Sequence, residues 1–297
     1  MTTADHSRLV GCVVLSGGLK PSPLQRMCSC SVLSLPISTK ATVLESTLAR
    51  IAEAVVGVSE FPVRVVYGHP VPAPIAPRDA HGLRLSIESE SRRWRGPAGT
   101  LLDMYDGLSP TDSVLVLEGA RWYGTSLATF VESHVMSHAE ITIAQSVDRT
   151  PLGAYMMRRS ALDRVPKNGF LDLKEQLIDK LISERRGVKV STLEPPGAPA
   201  LWNLSSYLQA ADRACDGIND GCIIDPSANV DLNAMVLGSV IMNGAIVQGD
   251  AVVARSVVLP GSIVRAGEEI VDSVVNPGGA IRSDEVLRLM PVKRKTA

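Results

Sequence analysis

The stretch Ile224–Val271, IDPSANVDLNAMVLGSVIMNGAIVQGDAVVARSVVLPGSIVRAGEEIV, decides how this chain is read. Aliphatic residues recur at Ile224, Val230, Val236, Ile241, Val247, Val253, Leu259 and Val271, six apart except for one step of five. Arg265 stands where one further aliphatic is due. Four residues after several of these comes a small one: Ala228, Ala234, Ala245 and Ala251, with glycine, proline and asparagine between. A period of about six with a small second inward position marks a parallel β-helix, each hexad giving one short strand and the small residue letting the coil turn. A β-sandwich would instead show strands every ~8–12 residues with two-residue alternation. The repeat predicts about three coils.

Upstream the texture changes, with a join near residues 212 to 222. Apolar runs at Leu9–Leu15, Val63–Tyr67, Ser113–Leu117, Ala139–Gln145 and Leu152–Met157 read as strands. Between them Thr42–Val56, Ala98–Gly107, Ser126–Met136 and Leu171–Glu184 read as helices, Thr42–Val56 with apolar residues at 3.6-residue spacing. Such alternation predicts a mostly parallel, Rossmann-like α/β sheet covered on both faces. The predicted division is therefore 1–215, α/β, and 216–297, β-helix with a short basic tail. Ligands on such sheets sit beyond the carboxyl ends of the strands. The first strand ends there in Val13–Leu24, VVLSGGLKPSPL, a glycine pair followed by a proline-broken loop.

Bulk properties narrow the function classes. Over 297 residues, 30 basic side chains nearly balance 31 acidic ones and aromatics make up 4%. Neither a nucleic-acid field nor stacking platforms for single strands are expected. No window reaches about 18 apolar residues and MTTADHSRL lacks an apolar leader core, so no membrane association or secretion is expected. The five cysteines (Cys12, Cys28, Cys30, Cys215, Cys222) include no CxxC pair and read as free thiols of a cytoplasmic protein. His134 and His138 are four apart, but no third ligand accompanies them, and packing is the favoured role for His134. All five histidines precede residue 139, so the coil carries no histidine base of the kind an acyltransferase would use.

Several segments, in order, resemble the sugar-1-phosphate nucleotidyltransferase family. Leu15-Ser16-Gly17-Gly18 resembles its L-A-G-G and Pro23-Leu24 its P-L. Gly96-Pro97-Ala98-Gly99-Thr100 resembles the G-T-A-G loop near the nucleotide base. VLVLEG (Val114–Gly119) resembles the strand delivering the first metal aspartate. Phe130–His134, AEITIA (Ala139–Ala144), Gly153–Met157 and Phe170–Glu175 resemble later elements, the last two lining the sugar pocket. Ser256–Pro277 resembles the terminal β-helix. The resemblance implies a nucleotidyltransferase domain followed by a left-handed parallel β-helix, and attack of a sugar phosphate on the α-phosphate of an NTP with Mg²⁺ held by carboxylates.

Residue by residue, the groups that chemistry needs are missing. The family's G-G-x-G-[ST]-R-L-x-P-L loop is two residues shorter here, without its third glycine and arginine, and Pro21 and Pro23 remove N–H donors. Lys20 offers a point charge rather than a bidentate fork. Val32 stands for the lysine of P-K-P-L-L-P-V, and Ala120 for the first metal aspartate. Trp202–Tyr207 keeps the tryptophan of W-x-D-x-G-T but no acid. The expectation is a nucleotidyltransferase-like protein that has lost turnover and serves assembly or regulation as a homo- or hetero-oligomer, an active paralogue being one candidate partner. The alternative is an active NTP:sugar-1-phosphate nucleotidyltransferase using Glu118 and Lys20. The candidate nucleotide or sugar-nucleotide ligand would meet Gly17, Gly18, Lys20, Gly96, Ala98 and Gly99, with Glu118, Gly153 and Glu175 at the sugar. No catalytic residue or metal ligand is assigned, and Mg²⁺ is called for only in the active alternative.

Overall fold

The apolar runs assemble into one seven-stranded sheet in a computed structural model describing residues 8–17, 20–90, 95–184, 187–195, 197–215 and 221–288. In chain order the elements are β1 (Arg8–Ser16), α1 (Pro23–Cys28), α2 (Val43–Ala54), β2 (Pro62–Tyr67), β3 (Arg84–Ser89), α3 (Gly96–Tyr105), β4 (Asp112–Glu118) and α4 (Ala128–Val135). There follow β5 (Ile141–Gln145), β6 (Pro151–Arg158), α5 (Asp179–Ser183, continuing a π-helical turn Leu173–Ile178), β7 (Val188–Thr192) and α6 (Leu204–Ala214). The chain divides into two units, one of Met1–Leu19, Glu45–His69 and Ala76–Ala198, the other of Lys20–Leu44, Pro70–Ile75 and Pro199–Ala297.

In the first unit the strand order is β3-β2-β1-β4-β6-β5-β7, parallel except where β6 runs against β4 and β5. One face buries Val13, Val114, Val116, Tyr155 and Met157 against Ala98, Leu101 and Tyr105 of α3 and Leu173, Leu177 and Leu181 of the π-turn and α5. The two strands not anticipated, β3 and β7, are the sheet's edges. An edge strand is covered on one side only, so RLSIES and VKVST need no continuous apolar run.

His134 shows why α4 sits where it does. It is fully buried, with Nε2 3.0 Å from Ser113 Oγ of β4 and Nδ1 2.8 Å from Thr142 Oγ1 of β5. The expected packing role is what the contacts display, and His138 lies exposed beyond the helix.

The second unit carries the β-helix. Val240 pairs with Val257 and Val257 with Val274, while Ile246 pairs with Ile263 and Val252 with Glu269, so every coil is 17 residues long. Its interior holds Ile241, Val247, Val253, Val258, Val264 and Val275 with Ala245 and Ala251 at the small positions. This corrects the register read from the sequence. A second five-residue step falls between Val253 and Val258, so the inward residues are Val258 and Val264 rather than Leu259 and Arg265. Arg265 was no lapse in the pattern: its side chain is 78% exposed.

The short side exists because one corner of each coil is built differently. Gly221, Gly238, Arg255 and Asp272 stack at that corner, all left-handed at φ between 48° and 69°. Each precedes a small buried residue, Cys222 on the first coil and then Ser239, Ser256 and Ser273. Every serine hydroxyl donates to the carbonyl two residues back at 2.7 Å. The hydroxyls of Ser239 and Ser256 also accept the N–H of the serine one coil on. A turn that closes its own polar groups saves one residue per coil. Arg255 and Asp272 add a bidentate ion pair on the outside of the stack.

Two expectations follow. Ser256→Ala removes the partner of the Ser273 N–H and of the Ala254 carbonyl and should cost about 1–3 kcal/mol, whereas Ser262→Ala should cost far less, because the buried Ser262 hydroxyl has no partner among the described residues. Chemical denaturation of both variants makes the comparison. For His134, burial first, then the nearby Arg158 and Lys189 charges, lower the pKa from 6.5 to about 4. The unfolded chain therefore takes up the proton first, and stability present above pH 6.5 is lost as pH falls toward 4, by about 3 kcal/mol in all. Denaturation midpoints measured from pH 7 to 4.5 should fall in the wild type and fall less in His134→Asn.

Candidate functional site

The carboxyl ends of β1, β2 and β4 meet with no space to spare. A Cβ at Gly17 would lie 2.7 Å from the Gly68 amide nitrogen, and one at Gly119 2.9 Å from Ser16 Cβ. Gly119 N–H donates to the Leu15 carbonyl at 2.8 Å. Gly17 thus lets two strand ends pass closely. Gly18 lies outside the described residues, and Lys20 is exposed in the second unit.

Glu118, the last residue of β4, is the charged centre of this region. Its Oε2 accepts from Arg121 Nε at 2.8 Å, and its Oε1 pairs with Lys174 Nζ at 2.5 Å and accepts from the Tyr155 hydroxyl at 3.3 Å. Arg121 is itself held by the Ala198 carbonyl at 2.8 Å. Burial acts to raise the Glu118 carboxyl, but the Arg121 charge and the hydrogen bonds from Lys174 and Arg121 outweigh it and hold the group below the usual carboxylate range. The Tyr123 hydroxyl accepts from the Glu118 N–H at 3.0 Å and donates to the Gly153 carbonyl at 2.8 Å, tying the end of β4 to β6. Burial, then the Glu118 charge, keep Tyr123 and Tyr155 protonated.

Gly153 belongs to the same cluster. Its φ is +66°, and a Cβ there would stand 2.5 Å from Glu118 Oε2 and press on Arg121 Nε. Glu175, on the π-helical turn, is exposed, and its N–H goes to the Asp172 carboxylate that caps the turn. Its neighbour Lys174 is the residue that reaches Glu118. Ala120 is exposed on the loop after β4.

Gly96, Ala98 and Gly99 open α3. Gly96 has φ +69° and no room for a Cβ, since the Leu171 carbonyl oxygen would be 2.6 Å away. Ala98 is wholly buried in the core and its N–H donates to that same carbonyl at 3.3 Å. Against Gly99 lies the guanidinium of Arg95, 5% exposed, forked onto Asp103 at 2.9 and 3.1 Å and onto the Pro166 carbonyl at 2.9 Å. The loop is therefore occupied by the protein's own arginine.

Glu118 and Gly153 are brought together; Glu175 is exposed, Gly96 packs against Phe170–Leu171, and Gly99 packs against Arg95. Sequence reasoning missed Arg121, Lys174 as a partner, and Arg95. Arg121 had a visible signal, a charge of opposite sign three residues after Glu118. Lys174 is 56 residues from Glu118 and had none.

Among solved structures the chain matches a Bacillus anthracis protein assigned as a glucose-1-phosphate thymidylyltransferase, determined in complex with sucrose. The TM-score is 0.52 at 14% identity, covering 69% of this chain and 95% of that one. The fold is sugar-1-phosphate nucleotidyltransferase-like. No protein-family model and no curated sequence matches it. No described helix is long and apolar enough to cross a membrane.

The nucleotidyltransferase-like fold implies Mg²⁺, which binds through one or two carboxylates plus phosphate oxygens. The residues present do not fit it. Both oxygens of Glu118 are committed to cations, Ala120 offers no donor, and among the described residues no three acidic, cysteine or histidine side chains converge.

Gly153→Ala should disrupt the Glu118–Arg121 pair and lower stability by about 2 kcal/mol or more. Gly82→Ala, also left-handed but with open space around it, should cost only about 1 kcal/mol of backbone strain. Thermal unfolding of the two variants separates the packing cost from the strain.

Proposed function

We propose that this chain is a nucleotidyltransferase-like subunit that performs no phosphoryl transfer and acts in assembly or regulation, as a homo-oligomer or beside an active relative. The observation that carries the reading is the neutralised Glu118. The one carboxylate near the position of the metal aspartate is held by Arg121 and Lys174, so coordinating an ion would require breaking two salt bridges in a partly buried site. The loop after β1 lacks the arginine, Val32 is buried where the resemblance expects a lysine, and Leu204, the buried first residue of α6, stands where it expects the second acid. Charge stabilisation by one preorganised donor is worth about 3 kcal/mol in a transition state, so losing all of these groups leaves no measurable turnover. Support for assembly comes from the β-helix, where Leu232, Met235 and Leu237 are each exposed.

Pyrophosphate release, followed with Mg²⁺ across the common NTPs and hexose 1-phosphates, should stay at background and be unchanged in Glu118→Ala. Sustained turnover that disappears in that variant would overturn the reading.

A further inference from the structure

The sequence holds one close cysteine pair, Cys28-Ser29-Cys30, at the end of α1. The helix starts on a capping box at Ser22 and stops at Ser29, which is left-handed at φ 52° and ψ 28° and donates its N–H to the Gln25 carbonyl at 2.8 Å. One such residue folds the chain back, so the flanking Cα atoms come roughly 5.5 Å apart, inside the span of a disulfide. The two thiols lie close enough for each to shift the other's ionisation.

Their surroundings differ in a useful way. Cys28 is 5% exposed, on the buried side of α1 with Leu24 and Met27, while Cys30 is half-buried. The neighbouring Cys28 thiol outweighs burial at Cys30 and lowers its thiol below the ordinary value. The Cys30 neighbour, then burial, raises Cys28 well above it. A less buried thiol beside a sheltered one is the division of labour thiol–disulfide exchange needs. Neither thiol takes part in the cluster around Glu118.

We propose that Cys28 and Cys30 form a thiol–disulfide exchange site whose substrate is a low-molecular-weight disulfide. The Cys30 thiolate attacks one sulfur of RSSR; the RS–SR bond breaks, Cys30–SR forms and RS⁻ leaves. Cys28 then gives up its proton and attacks Cys30 Sγ, expelling the second RS⁻ and closing the Cys28–Cys30 bond. Two protein thiols are oxidised, one RSSR is reduced to two RSH, and the two thiol protons end on the two leaving sulfurs through solvent. Cys215 is the competitor: its thiol lies 3.9 Å from the Ile37 carbonyl and, with Cys28 and Cys30, close enough to Tyr207 to act on its hydroxyl.

The test uses the full chain incubated with oxidised glutathione, quenched with iodoacetamide and digested with trypsin without reductant. The peptide Met27–Lys40 holds both cysteines, and in the wild type it should run two hydrogens lighter and carry no alkyl label. Cys28→Ser and Cys28→Ala should both stop at a stable glutathione adduct on Cys30, and Cys215→Ser should close the pair as the wild type does. A wild-type peptide that keeps its glutathione adduct, takes two alkyl labels, or is crosslinked to Cys215 would overturn the proposal.

Discussion

A carboxylate at the end of a central strand can hold a metal or hold the protein together, and the rest of this site follows from its being given to the second task. Glu118 is contacted by two cations and a tyrosine hydroxyl, with Tyr123 tying its backbone to β6. Two opposing charges make ionisation easy, and each salt bridge would have to be surrendered before an ion could bind. Position 153 needs glycine twice over, because its φ is left-handed and because any side chain would enter that ion pair. The site is thus closed by its own charges, and Arg95 does the same at the start of α3.

The backbone demands of the nucleotidyltransferase-like fold are met by packing, independently of any chemistry. Gly17 and Gly119 serve strand ends that pass within van der Waals contact, and Gly96 serves the approach of Leu171. Such positions look like ligand loops in sequence, yet each has a packing reason to remain glycine.

The central strands and the amphipathic α2 were legible because burial imposes the hydrophobic periods on the sequence directly. Edge strands β3 and β7 were not, since one-sided burial leaves a weak pattern. Helix α6 was not anticipated; its capping box at Asn203 and Ser206 was the local signal that it starts there. The β-helix was legible as a hexad repeat, but its register slipped after Val253. The reason is physical: a left-handed residue followed by a small buried one turns one corner of every coil without the usual extra residue, and at Arg255-Ser256 nothing apolar marks the shortened step. At the site, Glu118 could be named from strand ends and motif order, while its partnership with Lys174 depended on how the π-helical turn packs beside β4.

The most direct measurement is a crystal structure grown with Mn²⁺ and a nucleoside triphosphate, with the ion located by its anomalous signal. The account predicts Glu118 still bonded to Arg121 and Lys174, with no metal within coordination distance of its oxygens. A manganese ion on Glu118, with Lys174 displaced, would contradict it.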